Sequence, residues 1–77
     1  MTELSFGQQR VRVSFNPSKD SGVDHLKAAT ADLIDLCYTG QNEAKSQETK
    51  RLWSLAMTHY EEAAMWAVKA ATTPKID

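Results

Sequence analysis

A mainly helical fold is what the sequence predicts: a short amino-terminal arm, then a two-helix antiparallel hairpin that assembles with copies of itself. Three observations predict it. Apolar residues recur at spacings of three and four from Val23 to Cys37 and again from Leu52 to Ala71, the period of helices packed on one side. In the second run the apolar residues cover more than one helical face, so one partner helix cannot bury them all. Finally, a chain of 77 residues has little room for a core, and small scaffolds need some staple. Cys37 is the only cysteine, so no intrachain disulfide forms, and His25 and His59 stand in no metal-ligand spacing with it. Self-assembly, or unusually good helix packing, is what remains.

Residues 1–20 read as an ordered arm with one short helix or strand. Arg10, Val11, Arg12, Val13, Ser14 and Phe15 alternate polar and apolar, which suits an extended segment with one covered face. Asn16-Pro17 then forces the backbone out of the α region, and Lys19-Asp20-Ser21-Gly22 makes a polar turn. The first long helix is expected over residues 21–39. Ser21 and Asp24 resemble a capping box; Val23, Leu26, Thr30, Leu33 and Cys37 form its stripe, widened by Ile34 and Tyr38. Gly40 stands where a left-handed C′ residue would end it.

The second long helix is expected over residues 42–72, starting at Asn42 or Ser46 and stopped by Pro74. Its first turns, Glu43 to Lys50, are polar. Beyond them Leu52, Ala56, His59, Ala63, Trp66 and Ala70 make one stripe, and Trp53, Met57, Tyr60, Ala64, Ala67 and Ala71 a neighbouring one. Packing on the first helix uses one stripe of about 100°; the other needs a further partner. At about 1.5 Å per residue the helices would span about 28 Å and about 40 Å, leaving an overhang of about two turns.

Composition narrows the function. A net charge of −1 with 25% charged residues argues against a general DNA or RNA coat, which needs a basic face. No run approaches 18 apolar residues, so no membrane span is expected. The amino terminus lacks a basic and then apolar leader. One unpaired cysteine fits a reducing, cytoplasmic setting. No Gly-rich phosphate loop, metal signature or nucleophile elbow occurs, and no cofactor is implied. Cys37 and His59 could be cast as nucleophile and base, but both lie on apolar stripes, where a lone cysteine is usually inert core. Glu61 and Glu62 are adjacent on a helix and point about 100° apart, a poor acid/base couple. The chain reads as a binding protein.

The arm carries the chemistry. Arg10, Arg12, Lys19 and Lys27 face Asp20 and Asp24 in charge count, with Phe15, Asn16, Pro17 and Ser18 in the same window. Cations meet phosphates and an aromatic stacks on a base, so these residues suit one small anionic ligand with a flat base. Alternation alone favours the blander reading, a solvated strand edge with Phe15 packed on the hairpin. His59 is more often a satisfied core or interface residue than a ligand contact, and Trp53 and Trp66 read as packing anchors.

The segments RVRVSFNPSKDSGVDHLKAATADLIDL and RLWSLAMTHYEEAAMWAVKAAT resemble the phage signal-sponge family of anti-CBASS and anti-Thoeris proteins. The likeness rests on the FNPS turn, on Lys27 one turn into the first long helix, and on the Trp…Thr-His…Met…Lys pattern of the second. The resemblance implies a non-catalytic sponge that holds nucleotide messengers of bacterial defence, in the cytoplasm of the infected host, without degrading them. It implies a homohexamer with cyclic dinucleotides such as cGAMP between pairs of protomers. By similarity Phe15 would pack on a base, Asn16 and Pro17 would shape the pocket wall and Lys27 would meet a phosphate; Ser18, Arg10, Arg12 and Thr30 complete the expected ligand-binding set. Cyclic trinucleotides would occupy a second site near Thr58 and His59; Met57 stands where many relatives carry a basic residue. Two alternatives stay open: an adaptor hairpin that binds a protein partner, and a sponge for cyclic ADP-ribose-type signals.

Overall fold

The structure is a computed structural model that describes residues 3–74. Three helices make it up: α1 (Phe6–Arg10), α2 (Ser21–Glu43) and α3 (Gln47–Ala71). The α2 and α3 helices form the hairpin, and α1 lies against α2. The body measures 49 × 35 × 12 Å, one helix thick. A body this thin holds only a small core, and each long helix keeps a face turned to solvent.

Local chemistry sets the helix starts. Ser5 opens α1 with a reciprocal capping box: Gln8 N–H donates to Ser5 Oγ at 3.1 Å, and Ser5 N–H to Gln8 Oε1 at 2.8 Å. Asp20, not Ser21, caps α2, its carboxylate accepting from Gly22 N–H at 2.7 Å. The box expected of Ser21 and Asp24 does not form, since Asp24 Oδ1 accepts from Asn16 Nδ2 instead. Ser46 caps α3 by accepting from Thr49 N–H at 3.0 Å, so the helix starts at Gln47 rather than at residue 42.

Two further expectations are corrected. The alternating run from Arg10 to Phe15 is not extended; α1 ends at Arg10 and residues 11–14 turn. Arg12 takes a left-handed conformation, φ 54°, which puts Val11 in the core and Val13 against its margin. Nor does Gly40 end α2, which runs on to Glu43. Gly40 is instead the floor under Trp53: a Cβ there would lie 2.5 Å from Cε2 and Cζ2 of the indole. Packing, not a left-handed cap, explains the residue. Gly40→Ala should therefore cost about 1–3 kcal/mol and move Trp53, measurable as a lower melting temperature with a changed tryptophan emission maximum. An unchanged emission spectrum would remove Trp53 from that contact.

The buried face of α2 is Val23, Lys27, Ala31, Ile34 and Cys37, rotated from the expected stripe. Leu26 and Thr30 are half-buried and Leu33 is exposed. The reason is that α2 serves two neighbours. Gly7 lets α1 approach so closely that a Cβ there would overlap the Ala31 carbonyl, and Gly7 N–H donates to Asp35 Oδ1 at 2.6 Å. Phe6 stacks on Tyr38 with ring centroids 4.3 Å apart. On α3 the stripe of Trp53, Met57, Tyr60 and Ala64 packs on the core, while Leu52, Leu55, Met65 and Trp66 stay exposed, Trp66 at 62%. With 23 and 25 residues the long helices nearly match, and the expected overhang is absent.

Candidate functional site

Lys27 is the hinge of the site. It is 7% exposed, although a lysine is almost never hidden unless its ammonium is paired. Here Nζ donates to the backbone carbonyl of Arg12 at 3.0 Å and to that of Phe15. Those two acceptors lie on the turn that follows α1, and they latch it to α2. Nζ also sits 5.3 Å from the centroid of the Phe15 ring, within cation–π range. Phe15 itself is 59% exposed.

Beyond Phe15 a clip of hydrogen bonds shapes the chain. Asn16 Nδ2 donates to the Asp20 carbonyl at 2.8 Å and to Asp24 Oδ1 at 3.0 Å, and Ser18 Oγ donates to Asn16 Oδ1 at 2.8 Å. Pro17 restricts the backbone between them, and Lys19, at φ 56°, turns the chain into α2. Phe15 is therefore presented by a preformed turn.

This latch and clip form one side of a groove of about 440 Å³, lined by Arg10, Val11, Arg12, Phe15 and Lys27 and, on α3, by Glu61, Ala64, Met65 and Val68. Three cations, an exposed aromatic ring and an apolar strip thus share one concavity. Arg10 is tied across it, Nη2 donating to Glu61 Oε2 at 2.9 Å, while its guanidinium carbon lies 5.8 Å from the centroid of Phe6. The chemistry suits an anion carrying a flat apolar face.

The sequence-predicted residues divide. Arg10, Arg12, Phe15 and Lys27 meet in the groove. Asn16, Pro17 and Ser18 build the turn beside it without lining it. Thr30 lines neither groove; its hydroxyl donates to the Leu26 and Lys27 carbonyls at 2.8 and 3.2 Å. A second concavity of about 240 Å³ is lined by Phe6, Arg10, Ile34, Gln41, Ser54, Met57, Thr58 and Glu61. It includes Thr58 and Met57 but not the exposed His59. The α3 wall was missed by the sequence reading, although Glu61, Met65 and Val68 carry the four-then-three spacing of one helical line.

Other chemistry is accounted for as well. Burial pushes the Cys37 thiol up from its ordinary range, which disfavours the thiolate a nucleophile needs; the side chain lies in the core while His59 is exposed. Among the described residues no cluster of three or more His, Cys, Asp or Glu side chains is placed to hold a metal ion, and no helix is long and apolar enough to cross a membrane.

Comparison with known families matches residues 7–72 to the family described as Acb2/Tad1, hairpin domain. That interval contains the latch, the clip and both long helices. No curated protein and no solved structure matches.

Proposed function

We propose, from the premise that this chain belongs to the Acb2/Tad1 hairpin family of anti-CBASS and anti-Thoeris sponges, that it sequesters cyclic dinucleotides such as cGAMP in the Lys27 groove. The family is an oligomeric, sponge-type group that withholds cyclic oligonucleotide signals from bacterial defence. The observation that carries the finer reading is the groove itself. It holds Arg10, Arg12 and Lys27 beside an exposed Phe15, the two kinds of contact that a phosphodiester and a base require. Two of the three N–H donors of Lys27 are spent on arm carbonyls, and the third is left for a phosphate oxygen.

One chain supplies only one side. The body is 12 Å thick, so a ligand in the groove keeps a face to solvent until a second copy covers it. The exposed Leu52, Leu55, Met65 and Trp66 support an assembly of such copies, a hexamer working in the cytoplasm of the infected host. Retention without chemistry then follows from enclosure: the ligand is hidden from its effector for as long as the walls stay together. Met57 and Thr58 in the smaller groove, with His59 beside them in sequence, support a second site for cyclic trinucleotides.

Melting the protein with a panel of cyclic di- and trinucleotides and a cyclic ADP-ribose isomer tests this directly. Ligand at 100 times its dissociation constant should add about 2.7 kcal/mol, and denatured complex should release the nucleotide intact. Phe15→Ala should weaken dinucleotide binding about tenfold, the value of one stacked base, with the native mass spectrum still that of a hexamer. No shift with any nucleotide would favour an adaptor that binds protein through α3. A shift only with the cyclic ADP-ribose isomer would assign the groove to Thoeris signals.

A further inference from the structure

Among the described residues, Glu61 is the one acidic side chain lining a groove that otherwise presents Arg10, Arg12 and Lys27. A carboxylate facing an anionic ligand costs affinity, through repulsion and lost hydration, unless it is paired or accepts hydrogen bonds from that ligand. Pairing accounts for half of it. Arg10 Nη2 donates to Oε2, whereas Oε1 accepts no hydrogen bond from the described residues. The side chain is nonetheless turned in from solvent, at 28% exposure.

Its position gives the other half. Glu61, Met65 and Val68 follow one line of α3, so the carboxylate stands at the end of an apolar strip in the same groove as Phe15. A flat base held between the Phe15 ring and that strip brings its hydrogen-bonding edge to Glu61.

We propose that Glu61 reads the ligand's base and selects guanine, a reading that rests on the sequestration of cyclic dinucleotides argued above. Guanine alone among the common bases offers two adjacent donors, N1–H and the 2-amino group, spaced to meet the two oxygens of a carboxylate. Adenine and cytosine set a ring-nitrogen acceptor beside their amino group, and uracil flanks its single N–H with carbonyls, so each turns a lone pair toward Glu61. A site built to accept from donors rejects the analogue that lacks them far more strongly than a hydrophobic wall rejects a small change of shape. Arg10 need not let go, because each carboxylate oxygen can accept more than one hydrogen bond. It holds the carboxylate in place and offsets its charge while Arg12 and Lys27 face the phosphates.

Calorimetry on the full chain with cyclic di-guanylate and cyclic di-adenylate, at one salt concentration, tests the assignment. The native protein should prefer the guanine ligand by about tenfold or more. Glu61→Gln, which keeps the shape and one acceptor oxygen, should bring the two affinities within about threefold, mainly by weakening the guanine ligand. Glu61→Asp, a carboxylate still, should keep the guanine preference at lower affinity. Equal weakening of both ligands in Glu61→Gln would mean that the residue only positions Arg10, and would overturn the proposal while leaving sequestration intact. A native preference for the adenine ligand would overturn it too. Failure of the native protein to bind either ligand would sink the sequestration reading and this one together.

Discussion

Lys27→Met is expected to lower the stability of the chain by about 2 kcal/mol and to abolish most binding in the groove. Methionine conserves the buried volume, so no cavity term arises. What disappears is a charged donor shared by the Arg12 and Phe15 carbonyls, and hydrogen bonds to charged groups contribute about 1.5–3 kcal/mol. In a domain of this size that lowers the melting temperature by roughly 10 °C. The loss of affinity should exceed that of Phe15→Ala, because the substitution removes the proposed phosphate contact and also releases the turn that presents the ring. Hydrogen exchange gives an independent readout: the Phe15 amide, which donates to the Arg12 carbonyl at 2.9 Å, should lose protection. A variant that melts with the native protein and keeps that protection would show that the latch contributes nothing.

Gly7→Ala should be as damaging, for an opposite reason. A methyl group there meets the Ala31 carbonyl and Asp35 Oδ1, and the first of these is backbone that cannot turn aside. The helix must back off, which breaks the bond from Gly7 N–H to Asp35 and strains the Phe6–Tyr38 stack. Overpacking at a rigid contact costs about 1–3 kcal/mol, and the lost hydrogen bond about one more. Because α1 ends in Arg10 and runs into Val11 and Arg12, nucleotide affinity should fall along with stability. Gly22→Ala is the control. Its new methyl meets only the Asp20 side chain, at 3.0 Å, and alanine is the better helix former by about 1 kcal/mol. Denaturant titration of the pair should separate them clearly; equal midpoints would refute the close α1–α2 crossing.

Several residues explain why part of the site was legible in advance and part was not. The cations and Phe15 lie within 18 positions of each other, and the arm and the start of α2 bring them together locally, so composition alone could mark them. Burial of Lys27 could not be read that way, since only its contact with two turn carbonyls makes a hidden ammonium tolerable. Glu61 looked unsuited to acid/base work beside Glu62, and it meets Arg10 in the groove only when α3 folds back against the arm. Gly40 is a case of one principle displacing another: a glycine near the end of a helical pattern normally signals a cap, but the indole of Trp53 required its missing side chain. The Arg10–Phe15 alternation failed for a similar reason, as the Lys27 latch and the left-handed Arg12 folded an apparent strand into a turn.

The sequence by itself determined the two long helices, the surplus of apolar surface on the second, and the family to which the chain belongs. These are properties of neighbours within a few turns, where a period of 3.6 residues and a short motif carry the information. The tertiary structure decided which face of α2 is buried, what Lys27 holds, and that a groove runs between the arm and α3. Those outcomes depend on residues from 10 to 68 meeting across the hairpin, and side-chain shape and hydrogen bonding between distant segments select that meeting rather than any periodicity along the chain.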